Sequence, residues 1–364
     1  MAVAYVIEQN TTISREGERL LIKKEGETLH ALHVFKVDQL VLFGNVFLTP
    51  AAITCLFQKG IDTVFLSKNG VYRGRLQPAL SKNITLRCEQ FKKLTAPDFC
   101  LQTAQAIVNG KLANLRTVLL RLNRTRPGLN LEDPILGLKH LQRSLQGSEN
   151  LDTLRGYEGR GAVLYFGGLA KGIIEGRFRF NKRVRRPPTD PVNALLSLGY
   201  ALLFNTVMGA VSMVGFDPYL GCLHAVDYGR PSLALDLMEE WRPIIIDTLV
   251  LSVLNLKVLT ADDFITAKID AQDLEEDAST DILGEPEKET EESPSDENRT
   301  LPVKLTDSGF RKYITQFERK MTEKINHPLS GQQLSYRDCI REQIRHFARY
   351  IRGEEEVYQP MLLK

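Results

Sequence analysis

Glu158 in LRGYEGRGA, His224 in FDPYLGCLHAVDYG, and Asp236 and Glu239 in LALDLMEEWRP have the types and spacing to do metal-assisted chemistry. Asp236 and Glu239 are three apart, so a helix puts them on one face. Leu233, Leu237 and Trp241 can take the other. Two acids on an inward face are costly unless paired or bound to a cation. Carboxylate oxygens with one imidazole suit Mg²⁺ or Mn²⁺ better than a thiolate-seeking ion. Each residue also has a plainer structural explanation. Glycines 156, 159 and 161 surround Glu158, and each costs roughly 1 kcal/mol against Ala in a helix interior. Close approach of another backbone or of DNA would compensate; a solvent-facing Glu in a kinked helix is the alternative. A lone His among apolar residues is more often a satisfied core histidine than a ligand. Arg242, three beyond Glu239, offers that acid a salt bridge.

The elements that must hold these residues fall into two stretches. Residues 1–90 read as strands, with runs at Ala4–Glu8, Arg19–Lys23, Leu29–Val34 and Asp38–Phe43 between polar or glycine-containing turns. One helix interrupts them, opening at Thr49-Pro50 and closing at Gly60. Ile61–Leu66 resumes as a strand, and Asn69-Gly70 marks a hairpin before Val71–Leu76. After about residue 95 the apolar period becomes helical and stays so to the end. The expected helices are Pro97–Leu122, Pro134–Leu145, Leu151–Ile174, Pro191–Met213, Pro231–Leu256 and Tyr336–Ile351. The fold class is therefore α+β: a small β-rich domain over 1–90, then a larger all-α domain over 91–364.

Composition sets the limits. The chain has 364 residues, 43% apolar and 25% charged, ordinary for a soluble protein that can bury a large core. Its five cysteines are odd in number, widely spaced and form no C-x-x-C pair, which fits a reducing, cytoplasmic setting. Pro191–Phe216 has no charged residue and is long enough to span a bilayer. Its Asn, Ser and Thr residues and the bracketing Asp190 and Asp217 favour a buried helix instead, with no membrane partner. The net charge is only +2, yet residues 270–298 hold thirteen acids and one lysine. That stretch carries −12, which leaves +14 elsewhere, and a body so basic is a candidate for polyanion binding. Poor in aromatic and β-branched residues, 270–300 is expected to be a mobile acidic insertion. P-loop, dinucleotide-binding, G-x-S-x-G and H-E-x-x-H motifs are all missing.

Glu158 in LRGYEGRGA, then RPPTDPVNALLSLGYALL, GFDPYLGCLH and SLALDLMEEWRP follow one another in the order and wording of a known family. The chain resembles, over nearly its whole length, the CRISPR-associated integrase–endonuclease that acquires new spacers. The resemblance implies that Glu158, His224 and Glu239 hold a divalent metal, Mg²⁺ or Mn²⁺, with Asp236 a supporting acid beside them. It implies attack of a spacer's 3′-hydroxyl on a phosphodiester of the repeat array, and nuclease activity on double-stranded and branched DNA. It also implies a homodimer paired through the β-rich domain and joined to a small ferredoxin-like partner protein. A catalytically silent DNA-binding scaffold is the alternative reading.

The basic elements fit DNA. Arg177, Arg179, Lys182, Arg183, Arg185 and Arg186 lie in the loop between two motif-bearing helices, and phosphate contact is the expected role for them and for Arg242. Arg337, Arg341, Arg345 and Arg349 recur every four residues as one stripe, open to phosphate contact or to pairing with acids such as Glu342.

Overall fold

The computed structural model describes residues 2–77, 83–184, 188–266 and 301–363. Arg185, Arg186 and the acidic insertion lie outside the described residues. The described residues up to 77 form one compact unit, and those from Asn83 onward form the other.

The first unit is built from two four-stranded sheets. In one, β1 (Val3–Val6), β5 (Gln39–Phe43) and β7 (Asp62–Leu66) run parallel, and β8 (Tyr72–Leu76) closes antiparallel on β7. In the other, β4 (Glu27–His33), β3 (Arg19–Lys24) and β2 (Thr11–Glu16) are antiparallel, and β6 (Val46–Leu48) adds parallel to β2. The helix α1 (Pro50–Lys59) begins where Thr49 accepts the Ala52 N–H and ends at left-handed Gly60. Ile13, Leu20, Leu40, Leu42, Ala52, Cys55 and Leu56 make the common core. Sequence patterning leaves β2 and β6 unassigned, because Thr11–Glu16 is polar and Val46–Leu48 is only three residues long.

The second unit is helical and carries all four acid and histidine candidates. It starts with α2 (Ile84–Leu94), so this helix, lying at the end of the stretch read as strands, belongs to the helical unit. The long α3 (Pro97–Thr125) packs on α4 (Glu132–Ser144) and α5 (Leu151–Gly172). Three glycines allow the α3–α5 approach. A Cβ on Gly161 would collide with Leu112, and one on Gly168 would lie 3.0 Å from Leu119. Gly172 meets Leu122 in the same way. The apolar α6 (Pro191–Val214) is capped by Asp190, which accepts the Asn193 N–H at 2.9 Å. Its most apolar window is 83% buried, so it is the central core helix of this unit.

The segment read as one helix over 231–256 divides. α7 covers Ser232–Met238, a π-helical turn covers Arg242–Asp247, and α8 covers Thr248–Asn255. Pro243, which has no N–H to give, sits inside that turn, where the regular ladder is interrupted. Nor is the rest wholly helical. β9 (Phe264–Thr266) pairs with β10 (Val303–Leu305), and β11 (Lys324–Asn326) pairs with β12 (Gln333–Ser335). Helices α9 (Asp307–Thr322) and α10 (Tyr336–Arg352) complete the described unit. The segment Val357–Leu363 then straps α3 and α10 together. Pro360 fills the space beside Gly110, Asn114 accepts the Leu363 N–H at 2.8 Å, and Gln343 donates to the Gln359 carbonyl at 2.7 Å.

Candidate active site

His224 stands at the end of an irregular segment that needs outside support, and several side chains provide it. Gln90 of α2 accepts the Asp217 N–H at 2.9 Å and donates to the carbonyls of Asp217 and Leu220. Arg155 of α5 donates to the Leu223 carbonyl at 2.8 Å. Asp236, fully buried on α7, accepts the backbone N–H groups of Cys222, Leu223 and His224 at 2.6–3.0 Å. Gly221 is required at this point, since a Cβ there would strike Asp236 and the backbone of Ser232.

The same carboxylate fixes the imidazole. His224 Nδ1 lies 2.6 Å from Asp236 Oδ1, which orients the ring and turns Nε2 the other way. On that side stands Glu239, one turn beyond Asp236, with Oε1 at 3.7 Å from Nε2. His224 Nε2 and Glu239 Oε1 face each other there beyond hydrogen-bond distance. Glu158 of α5 is reached through Lys111 of α3, whose ammonium forms ion pairs with both Glu158 Oε1 and Glu239 Oε2. Arg242 Nη1 adds a contact to Glu239 Oε1 at 3.3 Å. Burial alone would raise the Glu239 carboxyl, but Arg242, Lys111 and His224 outweigh it and hold it down at about 2. Burial likewise opposes the Lys111 charge, and Glu158 and Glu239 overcome it, so the ammonium is held above its ordinary range.

Behind the site, the Arg242 guanidinium sits 5.1 Å from the Tyr200 ring centroid. Tyr200 donates to Asp247 at 2.6 Å, and burial pushes that carboxyl up to about 6. The structure thus links Glu158 to Glu239 through Lys111, and Glu239 to His224 and Asp236 on its other side. Sequence reasoning missed Lys111, Arg155 and Gln90, whose partners lie far away along the chain.

The basic residues divide. Arg179 and Lys182 are exposed, and Arg177 is exposed but pairs with Glu175 at 3.0 Å. Arg183 turns inward to Asn193 at 2.9 Å and Ser197 at 3.0 Å. Arg242 is likewise engaged inside the site. Along α10 the stripe is laced to acids. Arg337 is buried against Glu318, Arg341 meets Asp338, Arg345 meets Glu342, and Arg349 meets Glu342 and Glu355. Gly156 and Gly159 face open space, while Gly161 packs against α3.

Residues 4–288 match the family described as CRISPR associated protein Cas1. The chain belongs to this family. It is 35% identical to the CRISPR-associated endonuclease Cas1 3 of Thermus thermophilus, spanning 100% of this chain and 98% of that one. Among solved structures it is similar to a casposase bound to integration product, with a TM-score of 0.81 at 20% identity over 100% of this chain and 95% of the other. It is also similar to a chain of a Cas6-RT-Cas1–Cas2 complex, with a TM-score of 0.79 at 22% identity, covering 100% of this chain and 36% of that longer one. These two likenesses show the shared fold: a β-rich start followed by a helical body.

Whether a metal suits this member of the Cas1 family can be judged from its donors. Among the described residues, no three His, Cys, Asp or Glu side chains stand close enough together to hold an ion as placed; the Lys111 ammonium lies between the two glutamates. The donor chemistry fits a hard divalent cation nonetheless. Two carboxylates and an imidazole nitrogen are supplied by α5, the His224 segment and the end of α7. The imidazole's far nitrogen is already bound to a carboxylate, as is usual for metal-ligating histidines.

Proposed function

We propose that this chain is a metal-dependent DNA endonuclease and strand-transfer integrase that inserts spacer DNA into a CRISPR repeat array. The observation that carries the proposal is that Lys111 joins Glu158 to buried Glu239, whose other oxygen stands 3.7 Å from His224 Nε2, so that three separate segments supply the acids and the imidazole. In this reading these three residues hold Mg²⁺ or Mn²⁺. The ion supplies charge stabilisation for a phosphodiester attacked in line by a 3′-hydroxyl. Asp236 is a positioning residue: it shapes the His224 segment through three backbone N–H groups and orients the imidazole. Arg242 balances Glu239 and, resting on Tyr200, keeps that carboxylate from rotating away. Water in place of the 3′-hydroxyl gives nuclease activity at the same phosphodiester.

Partners are proposed with the activity. Family membership and the integration product held by the casposase neighbour support double-stranded and branched DNA. The Cas1–Cas2 assembly of the second neighbour supports a small partner protein, taken from the family resemblance to be ferredoxin-like. Phe35 and Phe47, 73% and 57% exposed, give the β-rich unit apolar surface suited to homodimer pairing. Exposed Arg179 and Lys182 suit contact with DNA phosphates.

The test is a strand-joining assay with a supercoiled repeat-containing plasmid and a short duplex bearing free 3′-hydroxyls. Joined product is expected in Mg²⁺ or Mn²⁺, with none in EDTA and none from a 3′-dideoxy duplex. Joining that persists in EDTA overturns the metal-dependent reading, and joining from the dideoxy duplex overturns 3′-hydroxyl attack.

A further inference from the structure

Lys111 is the central charge of the cluster, yet no motif pointed to it. Its place on α3 is fixed from both sides in sequence. Gly110 packs directly on Pro360, and Leu112 presses on Gly161 of α5. The backbone therefore has little room to shift, and any change at this position must come from the side chain. That side chain is 7% exposed, and its ammonium meets one oxygen of Glu158 and one of Glu239. Without a cation between them, two carboxylates in so buried a setting repel each other. The ammonium does for them what a metal ion would do, with half the charge of a divalent ion.

We propose that Lys111 is an internal competitor for the metal site: its ammonium holds Glu158 and Glu239 together and must give up their oxygens when a divalent cation binds. The inference rests on the metal-binding reading above. It assigns Lys111 two effects of opposite sign. In a chelator Lys111 stabilises the helical unit, because it neutralises half-buried Glu158 on α5 and buried Glu239 at the end of α7. Towards a divalent cation it lowers affinity, because ligand oxygens must be released and a like charge stays nearby. A Lys that instead cooperates with the metal, by holding the ligands in the binding geometry, would show the second effect with the reverse sign.

The experiment measures Mn²⁺ binding calorimetrically to the full chain and to its Lys111→Met, Lys111→Gln and Glu158→Ala variants, with thermal melts in EDTA and in saturating Mn²⁺. Lys111→Gln keeps a hydrogen-bond donor for one carboxylate and removes only the charge. Both Lys111 variants are expected to bind Mn²⁺ at least tenfold more tightly than the parent. They should melt lower than the parent in EDTA, with most of the difference recovered in Mn²⁺. Equal or weaker Mn²⁺ binding by folded Lys111→Gln overturns the proposal, as does a Lys111→Gln variant that stays unfolded in saturating Mn²⁺. A parent that binds no Mn²⁺, or a Glu158→Ala variant that binds it as tightly as the parent, overturns the metal reading itself. The two failures are therefore distinguishable.

Discussion

Replacing Glu240 with Gln should change the pH dependence of stability in a direction that the buried network dictates. Glu240 is 2% exposed and accepts the Tyr358 hydroxyl at 2.9 Å and the Met361 N–H at 2.6 Å. Burial raises its carboxyl from 4.5 to about 8, against the lowering effect of those hydrogen bonds. A carboxyl raised on folding contributes stability that is fully present below the unfolded value and lost as pH climbs through the folded one. At 1.36 kcal/mol per unit, the loss between pH 5 and pH 7.5 is on the order of 3 kcal/mol. Gln has the same shape and no charge; its amide oxygen accepts from Met361 and its NH₂ donates to Tyr358. Glu240→Gln should therefore cost little at pH 5 and gain on the parent steadily as pH rises. The assay is urea unfolding in EDTA at several pH values, followed by fluorescence of Trp241, the single tryptophan, which neighbours Glu240 and is 1% exposed. A stability difference between variant and parent that stays constant from pH 5 to pH 7.5 would refute the reasoning.

Three further outcomes follow from the geometry. Gly161→Ala should destabilise by about 1–3 kcal/mol through overpacking against Leu112, while Gly159→Ala, facing open space, should stabilise by up to about 1 kcal/mol; the same fluorescence separates them. Asp236→Asn leaves some of the N–H donors around residues 222–224 unmatched, at about 1–3 kcal/mol each, and misorients His224. Strand joining should fall at least a hundredfold while DNA binding by gel shift holds, and unchanged joining would remove Asp236 from its positioning role. Arg179→Ala and Lys182→Ala should each flatten the log–log salt dependence of DNA binding by roughly one unit. Arg183→Ala should leave that slope alone and lower the melting temperature, because its partners are Asn193 and Ser197. An altered slope for Arg183→Ala would put that side chain on DNA.

What the sequence disclosed was local. Pro97, Pro191 and the Asn69-Gly70 turn announce their elements because each acts on its own backbone. The change of period near residue 95 separates strands from helices for the same reason, but it comes late, since α2 already begins at Ile84. The acid and histidine positions were visible as types and spacings, and the structure adds which partner each one faces. Lys111 was invisible because its partners are 47 and 128 residues away along the chain, and one Lys in a long helix reads as surface. The glycines around Glu158 looked alike in sequence, yet Gly161 alone packs on α3. That distinction exists only once α3 lies against α5. β9 to β12 are three residues each, too short for a period of two to register. The π-helical turn at Arg242–Asp247 keeps an apolar helical look, so only Pro243 hinted at a break.

In the proposed reaction Glu158, His224 and Glu239 act as one metal-holding unit. Strand joining by Glu158→Ala, His224→Ala, Glu239→Gln and the Glu158→Ala/His224→Ala double variant tests it most directly, with folding verified by Trp241 fluorescence. Each single variant should lose joining nearly completely in saturating Mg²⁺, and the double variant should be scarcely worse, since residues acting as a unit are not additive. Full activity in any single variant, or losses that multiply in the double variant, would contradict the account.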